Sequence, residues 1–224
     1  MELDLHNHTS HSFDCSMDPA KVVRVAKARG LDAIAITDHN KIEGAFEAQR
    51  AAQGEILVII GEELDTRAGD ILGLFLREVI EEEDPLRAIE AIHDQGGVAV
   101  LPHPFIKSMS IQEDVARALD ACEGFNARHA KIKSVENGMG EAEIVSFAHA
   151  YGLSLTAGSD AHFYRDIARA RTIVPGNSLE DAKEAILKGN TILRGRRSSP
   201  FNYLASMSIQ VMKRMVHPEP DESR

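Results

Sequence analysis

Half of the histidines lie in a few short segments of the chain, some of which also carry carboxylates. Five of the ten histidines lie in His6-Asn7-His8, Asp38-His39, Pro102-His103-Pro104 and Asp160-Ala161-His162, and the acidic pair Glu62-Glu63 lies between the second and third of these segments. Imidazole and carboxylate donors without clustered thiolates are typical of Zn, Mn or Fe sites. These residue types and spacings predict metal binding, although each motif alone is common.

The number of candidate ligands exceeds what one ion needs. About four ligands serve one tetrahedral site, so about eight candidates indicate two or three ions. A carboxylate that bridges two ions would hold them at the spacing that a shared hydroxide requires, and such a centre favours in-line hydrolysis of a phosphate ester. We interpret the scattered histidines as ordinary surface or packing residues: His11, His93, His129, His149 and His217.

Short β-branched runs alternate with amphipathic helical stretches along the chain. We expect strands at 3–5, 33–37, 56–60, 71–76, 98–101, 132–135, 153–157 and 171–174. We expect helices at 19–29, 41–53, 85–95, 111–121, 140–151 and 178–188, and a last helix near 202–214. This alternation predicts about seven parallel βα units, and therefore an α/β fold in the form of a barrel.

The segments rich in histidine and carboxylate follow the predicted strands. His6-Asn7-His8 follows the first strand, Asp38-His39 the second, and Glu136-Asn137 the strand at 132–135. In a closed α/β barrel the chemistry lies at the C-terminal ends of the strands. The joint placement at successive strand ends, rather than any single motif, predicts one shared metal site.

Composition and charge are those of a soluble globular protein. The 224 residues include 25 Lys and Arg against 35 Asp and Glu, which gives a formal net charge of −10. This balance argues against broad binding to long nucleic acid or anionic membranes. No apolar run approaches the roughly 18 residues of a membrane span, and the N-terminus MELDLHNH does not have the pattern of a signal peptide.

The chain has no internal repeat, low-complexity segment or long linker, so we expect a single domain over residues 1–215. The polar segment 216–224 (VHPEPDESR) is expected to be a flexible tail. The two cysteines, Cys15 and Cys122, are too few for a disulfide framework. They fit a reducing compartment, so we expect a cytoplasmic location.

These motifs resemble those of the PHP (polymerase and histidinol phosphatase) family of metal-dependent phosphoesterases. The matching segments, in family order, are DLHNHTSHSFD at 4–14, ITDHN at 36–40, GEEL at 61–64, LPHPF at 101–105 and GSDAH at 158–162. They span about three quarters of the chain. The resemblance implies a distorted (β/α)7 TIM-like barrel, in agreement with the count of predicted units.

The resemblance also implies that the ligands are divided among three ions. The first ion would be held by His6, His8, Glu63 and Asp160. Glu63 would bridge to a second ion, which His103 would also hold. The third ion would be held by Asp14, His39 and His162. The choice of Glu63 over Glu62 rests on the resemblance.

One position departs from the family pattern. Many relatives have a ligand histidine shortly after the bridging glutamate, where this chain has Ala68-Gly69-Asp70-Ile71. Asp70 could coordinate the second ion as an oxygen ligand, which would favour Mn or Mg over Zn; alternatively, it faces solvent in the loop. Asp38, beside His39, is expected to orient a ligand.

The resemblance implies a phosphoesterase that uses two or three divalent ions, either Mn, Zn or Fe, with Mg as a further option. A metal-activated hydroxide would attack phosphorus in line, and a basic side chain would hold the substrate phosphate. Lys107 and Arg165 are our first candidates for that side chain, with Arg67, Arg128 and Lys131 as alternatives. We expect a small phosphomonoester or nucleotide substrate, because the net charge disfavours long nucleic acid.

Several other functions stay open from the sequence. Relatives include histidinol-phosphate phosphatases and nucleases that act on short oligonucleotides. Non-catalytic PHP modules lose ligands, whereas the ligand set here is nearly complete. Related metallo-barrels that hydrolyse C–N bonds usually contain a metal-bridging lysine, and no lysine follows a predicted strand at the corresponding place.

Overall fold

The computed structural model describes residues 1–105, 111–138 and 140–216. The strands of this described part are β1 (Glu2–Asp4), β2 (Ala33–Ile36), β3 (Leu57–Thr66), β4 (Gly69–Leu74), β5 (Val98–Leu101), β6 (Ala121–Asn126), β7 (Ser134–Gly138), β8 (Ser154–Gly158), β9 (Ala170–Ile173) and β10 (Ile192–Arg196). The helices are α1 (Pro19–Ala28), α2 (Glu43–Ala52), α3 (Pro85–Asp94), α4 (Glu113–Ala118), α5 (Ala142–Tyr151), α6 (Leu179–Leu187) and α7 (Pro200–Val216).

The strands form one mixed sheet in the order β7-β10-β9-β1-β2-β3-β4-β5-β6-β8. β1 to β3 are parallel, as are β5, β6 and β8, and β4 lies antiparallel between the two sets. The sheet curls until β9 lies beside β8, where Thr172 Oγ1 accepts a hydrogen bond from Ala157 N at 2.7 Å and donates one to its carbonyl at 3.0 Å. The parallel strands therefore end at one rim of a barrel-like body.

Alternation along the strands separates an inner core from an outer core. In the fully buried strand β2, Ala33 and Ala35 belong to the inner cluster, whereas Ile34 and Ile36 pack with residues of the covering helices α1 and α2. Burial on both faces explains the continuous apolar run of this strand. Ile186 of α6 also packs in the inner cluster, and it closes the barrel at the end away from the strand C-termini.

Two predicted helix starts are confirmed, and one of them defines a loop of the site. Asp18 accepts a hydrogen bond from Lys21 N at 2.8 Å, and Pro19 is the first residue of α1. Asp84 caps α3 in the same way, directly before Pro85. Such caps satisfy backbone donors at the helix start. The first cap ends the long β1–α1 loop, which carries several predicted ligands.

The predicted α/β class is confirmed, but the count of seven βα units is not. The run predicted as a strand at 56–60 continues to Thr66 and turns back as β4, so β3 and β4 form an antiparallel hairpin. β9 is antiparallel to β1, and β10 is antiparallel to β9. A hairpin and a run of antiparallel strands therefore replace part of the expected repeat.

The sequence does not predict β6 or β10. The helix predicted at 111–121 ends at Ala118, and the chain extends again as β6 from Ala121. The strand predicted at 132–135 is β7, which pairs antiparallel with β10 at the edge of the sheet. The prediction that Glu136-Asn137 follows a parallel barrel strand is therefore wrong, because β6 occupies that place.

Some predictions lie outside the described residues: Lys107, His217 and the tail from residue 217 onward. Among the described helices, none combines the length and the apolar composition that a membrane crossing requires.

Both cysteine thiols are buried, and burial raises the pKa of Cys15 and of Cys122 to about 12. Because the thiolate is the reactive form, we expect neither thiol of the native protein to react with Ellman's reagent at neutral pH. Both thiols should react once the chain is unfolded in guanidinium. A thiol that reacts in the native protein as fast as free cysteine would contradict this packing.

Candidate metal centre

The predicted ligands converge where the parallel strands end. They border a cavity of about 310 Å³, which is formed by the loops after β1, β2, β5, β6 and β8, by the β3–β4 hairpin and by α7. The predicted ligands on its wall are Asp14, His39, Glu63, Asp70, His103, Asp160 and His162. His6 and His8 are fully buried behind Glu63 and Asp160.

Four donor atoms face one another in the centre of this group. His6 Nε2 lies 3.1 Å from His8 Nε2, and both nitrogens lie 3.3 Å from Glu63 Oε2. Asp160 Oδ1 lies 3.5 Å from His8 Nε2 and 4.0 Å from His6 Nε2. Ligands about 2.0–2.1 Å from a tetrahedral ion are about 3.3–3.4 Å from one another. The spacing therefore fits one divalent ion shared by these residues.

Glu123 orients His6 and links it to His103. Glu123 Oε1 lies 3.1 Å from His6 Nδ1, an arrangement that places the proton on Nδ1 and turns Nε2 toward the other donors. The second oxygen accepts hydrogen bonds from His103 N and Asn126 Nδ2, both at 2.8 Å. Gly158 makes room for this contact, because a Cβ there would lie 2.3 Å from Glu123 Oε1.

His8 is oriented through a serine. His8 Nδ1 lies 3.0 Å from Ser12 Oγ, which donates a hydrogen bond to Asp38 Oδ1 at 2.7 Å. The serine oxygen therefore accepts from Nδ1–H, and Nε2 keeps its lone pair. Burial, together with the neighbouring His162, lowers the pKa of His8 to about 4, so the ring is neutral at neutral pH. Asp38 thus contacts the site through Ser12.

Glu63 lies between two groups of histidines, and its two oxygens face different partners. Oε2 faces the His6–His8 pair and lies 3.4 Å from His39 Nδ1. Oε1 lies 3.0 Å from His103 Nε2. This division is the one expected of a carboxylate that bridges two ions.

Strand parity separates Glu62 from Glu63, because successive side chains of a strand point to opposite faces. Glu62 Oε2 accepts a hydrogen bond from Ile80 N at 3.0 Å on the side away from the histidines. Burial raises the pKa of Glu62 to about 7. Glu63 is therefore the member of the pair that faces the cluster.

A further group of possible ligands lies on the other side of His8. Asp14, His39 and His162 each offer a ligand atom, and with His8 these atoms all lie within 4.8 Å of one another. Asp14 Oδ1 and His39 Nδ1 are buried and make no hydrogen bond with any described residue. His162 Nε2 is also buried and lies 2.7 Å from Asp14 Oδ2. Such orphaned atoms are rare, and a shared ion would satisfy them.

Asp70 lies at the edge of the group formed by His6, Glu63 and His103. Its Oδ2 is 3.8 Å from His103 Nε2, and the hairpin register places it opposite Asp65. The tight group of His6, Glu63 and His103 forms without it. Coordination by Asp70 stays a prediction, and its distance from His103 allows it.

The electrostatics of the cluster suit divalent cations. Burial alone would raise the pKa of Glu63 and Asp160, but positive charge on neighbouring groups, first His6, holds both well below their ordinary values. Burial would lower the pKa of His6, but Glu63, Asp160 and Glu123 raise it well above its ordinary value. Protonated imidazoles neutralise these carboxylates, and bound metal ions would neutralise them in the same way. The donor set therefore fits metal ions.

The sequence does not predict three residues of this site. Glu123, Asn126 and His129 lie on β6 or on the turn after it, a strand that the sequence leaves unassigned. His129 Nε2 lies 3.4 Å from Asp160 Oδ2 and its ring 5.2 Å from that of His103, so its interpretation as an ordinary surface or packing residue is wrong. The segment ACEGFN at 121–126 gives only a weak strand signal, because Glu123, Gly124 and Asn126 interrupt its apolar residues.

Among the described candidates for phosphate binding, Arg128 is the residue that lines the cavity. Its Nη2 donates a hydrogen bond to Ser206 Oγ at 2.6 Å, and its charge contributes to the low pKa of Asp160. The Arg165 guanidinium does not line the cavity; it donates to Asn202 Oδ1 and lies over the Phe163 ring.

The two remaining candidates form ion pairs at the surface. Arg67 lies 3.4 Å from Glu83, and Lys131 lies 3.1 Å from Glu143. Both pairs are well exposed, so each contributes little to stability. Neither side chain lines the cavity that the predicted ligands border.

Helix α7 covers one side of the cavity. Ser206, Met207 and Gln210 line the wall, and near the helix end Lys213 Nζ donates hydrogen bonds to the carbonyls of Ser10, Ser12 and Cys15. These carbonyls belong to the loop that carries His8 and Asp14. The helix therefore fixes this loop as well as narrowing the cavity.

A barrel-like α/β fold with histidine and carboxylate clusters at its strand ends is the architecture of a metal-dependent hydrolase. The chain belongs to the PHP domain family, because the family profile matches residues 4–197.

Two archaeal relatives come from Methanocaldococcus jannaschii. The uncharacterised protein MJ1587 is 38% identical over 143 residues, which cover 58% of this chain and 84% of that protein. The uncharacterised protein MJ0417 is 30% identical over 180 residues, which cover 76% of this chain and 69% of that protein.

Solved structures share the fold at low identity. A protein from Bifidobacterium adolescentis assigned as a metal-dependent phosphoesterase has a TM-score of 0.57 and 16% identity, and the match covers 72% of this chain and 88% of that chain. PsfC from Pseudomonas syringae has a TM-score of 0.59 and 19% identity, with coverage of 96% and 98%. An amidohydrolase from Chromobacterium violaceum has a TM-score of 0.61 and 18% identity, with coverage of 86% and 97%.

The contacts of Glu123 predict that it acts on metal binding by positioning His6. Glu123→Gln should lower metal affinity by about 10- to 100-fold, the usual effect of losing the partner of a ligand histidine. Metal retained after dialysis against graded chelator measures this effect. Glu136→Gln, an exposed glutamate on β7, is the matched control and should retain metal as wild type does. Equal retention in both variants would contradict the positioning role.

The position of Asp70 predicts a selective effect on one ion. Asp70→Ala should weaken the ion held near His103 and spare the ion held by His6 and His8, because only the former is within reach of this carboxylate. Asp70→His should shift the metal preference from Mn or Mg toward Zn. Metal content under competition between Mn and Zn measures both changes. Unchanged stoichiometry and preference in both variants would show that Asp70 only closes the turn before β4.

Proposed function

We propose that this protein hydrolyses a small phosphomonoester or nucleotide with the help of two or three divalent ions. The observation that supports this most is the division of Glu63 between His6, His8 and His39 on one oxygen and His103 on the other. Two ions bridged by one carboxylate would suit the in-line displacement of a phosphate ester.

The donor sets described above would hold these ions: His6, His8, Glu63 and Asp160 for the first, Glu63 and His103 with Asp70 for the second, and Asp14, His39 and His162 for the third. When bound, divalent ions lower the pKa of water and neutralise charge on phosphoryl oxygens. Mn, Zn or Fe fits these donors, and Mg fits the oxygen-rich second position best.

The protein's own cation for the substrate is Arg128. Its guanidinium lies on the cavity wall, tethered by Ser206 and beside Asp160. Arginine binds phosphate in a planar, bidentate manner. Arg128 therefore takes the role for which the sequence also favoured Arg165, and the other candidate, Lys107, lies outside the described residues. A phosphate held here would lie in the same cavity as Glu63 and Asp160.

The cavity and the charge of the chain support a small substrate. Its volume of about 310 Å³ is at the lower end for small-molecule sites. A net charge of −10 opposes the approach of long nucleic acid. Histidinol phosphate and short oligonucleotides are the alternative substrates within this reaction class.

Hydrolysis of a C–N bond is the second candidate reaction, because the fold is also that of the amidohydrolase from Chromobacterium violaceum. Among the described residues that line the cavity there is no lysine to bridge two ions. The arginine at the cavity wall favours a phosphorylated substrate over a neutral amide. A non-catalytic role is less consistent with the nearly complete set of metal donors.

We expect the Mn-supplemented protein to hydrolyse p-nitrophenyl phosphate and mononucleotides and to leave a panel of amides intact. Arg128→Gln should reduce kcat/KM for phosphomonoesters by about 10- to 100-fold, the worth of one charge-assisted contact. Arg50→Gln on the exposed face of α2 is the matched control and should retain full activity. Amide turnover without phosphatase activity would overturn the proposal, and an unaffected Arg128→Gln variant would remove Arg128 from it.

A further inference from the structure

A second cleft, of about 340 Å³, lies on the outer face of β9 and β10. It shares no lining residue with the metal cavity. Four of the residues that line it are arginines: Arg169, Arg171, Arg194 and Arg196. We call this feature the arginine cleft.

The strand register builds the arginine cleft. Arg171 of β9 lies directly opposite Arg194 of β10. Arg169 and Arg196 follow two positions away on the same face, where Arg196 N donates to Arg169 O at 2.8 Å. The residues between them, Ala170 and Gly195, are buried against the barrel. Alternation thus collects four guanidinium groups on one side of the sheet.

Carboxylates neutralise only part of this charge. Glu2 pairs with both Arg171 and Arg194, and the exposed Glu136 lies 3.9 Å from Arg196. The Arg169 guanidinium has no hydrogen bond or ion pair with any residue that the structure describes. Among the described residues, the carboxylates that form ion pairs with the four guanidinium groups are those of Glu2 and Glu136, which leaves an excess of positive charge in a chain whose net charge is −10.

A further arginine, Arg29 at the end of α1, lies beside the cleft. Its pKa is lowered first by burial and next by the charge of Arg169, while Asp166 and Asp4 act in the opposite direction. Arg171 Nη2 donates to the Arg29 carbonyl at 2.8 Å, so these side chains lie close together. Clustered like charges destabilise a folded chain unless an anion compensates them.

We propose that the arginine cleft binds the diphosphate group of a small anion, either free or carried by a nucleotide. Guanidinium groups match phosphate oxygens in bidentate geometry. Two adjacent phosphates supply the two or so negative charges that the cleft lacks, and the volume admits a group of this size. The site is separate from the metal cavity, and the proposal does not rest on the phosphoesterase function.

Isothermal titration calorimetry of the metal-loaded protein tests this, at a constant free-metal concentration. Methylenediphosphonate is the free anion, with no bond that a phosphoesterase can hydrolyse, and α,β-methylene-ADP is the nucleotide. The test variant is Arg169→Gln/Arg196→Gln, which spares Arg171 and Arg194 with their contacts to Glu2. We expect its affinity for at least one probe to fall tenfold or more. If only the nucleotide is affected, the nucleotide is the source of the diphosphate.

Two controls separate the cleft from other effects. Arg24→Gln/Arg50→Gln, on exposed positions of α1 and α2, removes the same charge elsewhere and should bind within twofold of wild type. Glu63→Gln impairs the metal cavity and should leave binding at the cleft intact. Matching thermal unfolding midpoints show that the test variant is folded. The proposal is overturned if Arg169→Gln/Arg196→Gln binds both probes as wild type does, or if Glu63→Gln removes all binding.

Discussion

The rest of the site depends on one buried carboxylate. Glu63 is 1% exposed, and its two oxygens contact four histidines: His6, His8, His39 and His103. A carboxylate at this depth is stable only when cations and hydrogen-bond donors surround it. The four histidines come from the ends of β1, β2 and β5, so the neutralisation of Glu63 fixes how these strand ends approach one another.

The backbone around Glu63 is shaped to permit this approach. Asp160 and His103 adopt left-handed conformations, with φ of 49° and 31°. Such conformations cost non-glycine residues about 1–3 kcal/mol and cluster at functional sites. Hydrogen bonds hold both residues in place, from Asp160 N to the His6 carbonyl at 2.8 Å and from His103 N to Glu123 Oε2 at 2.8 Å. Both of these strained residues present donor atoms to the site.

The sequence predicts the centre of the site better than its surroundings. The ligands that follow β1 and β8 were predictable because alternating or closely spaced polar residues after apolar strands are a local signal. Choosing Glu63 over Glu62 as the ligand required the family resemblance. Which of the two side chains faces the site depends on the strand alternation near Gly61, and that depends on where β3 ends. The sequence did not predict Glu123 and His129, because β6 is short and directly follows a segment with a helical pattern. Its pairing with β5 and β8 is also non-local, so no local pattern indicates it.

Long-range packing accounts for most of the other differences. The position of Arg165 against Asn202, and that of Lys213 on the β1–α1 loop, depend on where α7 crosses the barrel. No local pattern in the sequence specifies that crossing. The arginine cleft has the same origin, since it requires the register of β9 with β10, and β10 lacks the strong alternation that would predict it.

The most direct test of this account compares metal stoichiometry in Glu63→Gln and Glu62→Gln. The two residues are adjacent, buried and chemically identical, but only Glu63 faces the histidines. We predict that wild type binds two or three ions per chain, that Glu62→Gln binds the same number, and that Glu63→Gln loses more than one ion together with activity. Wild-type stoichiometry in Glu63→Gln, or an equal loss in Glu62→Gln, would contradict the central role of Glu63.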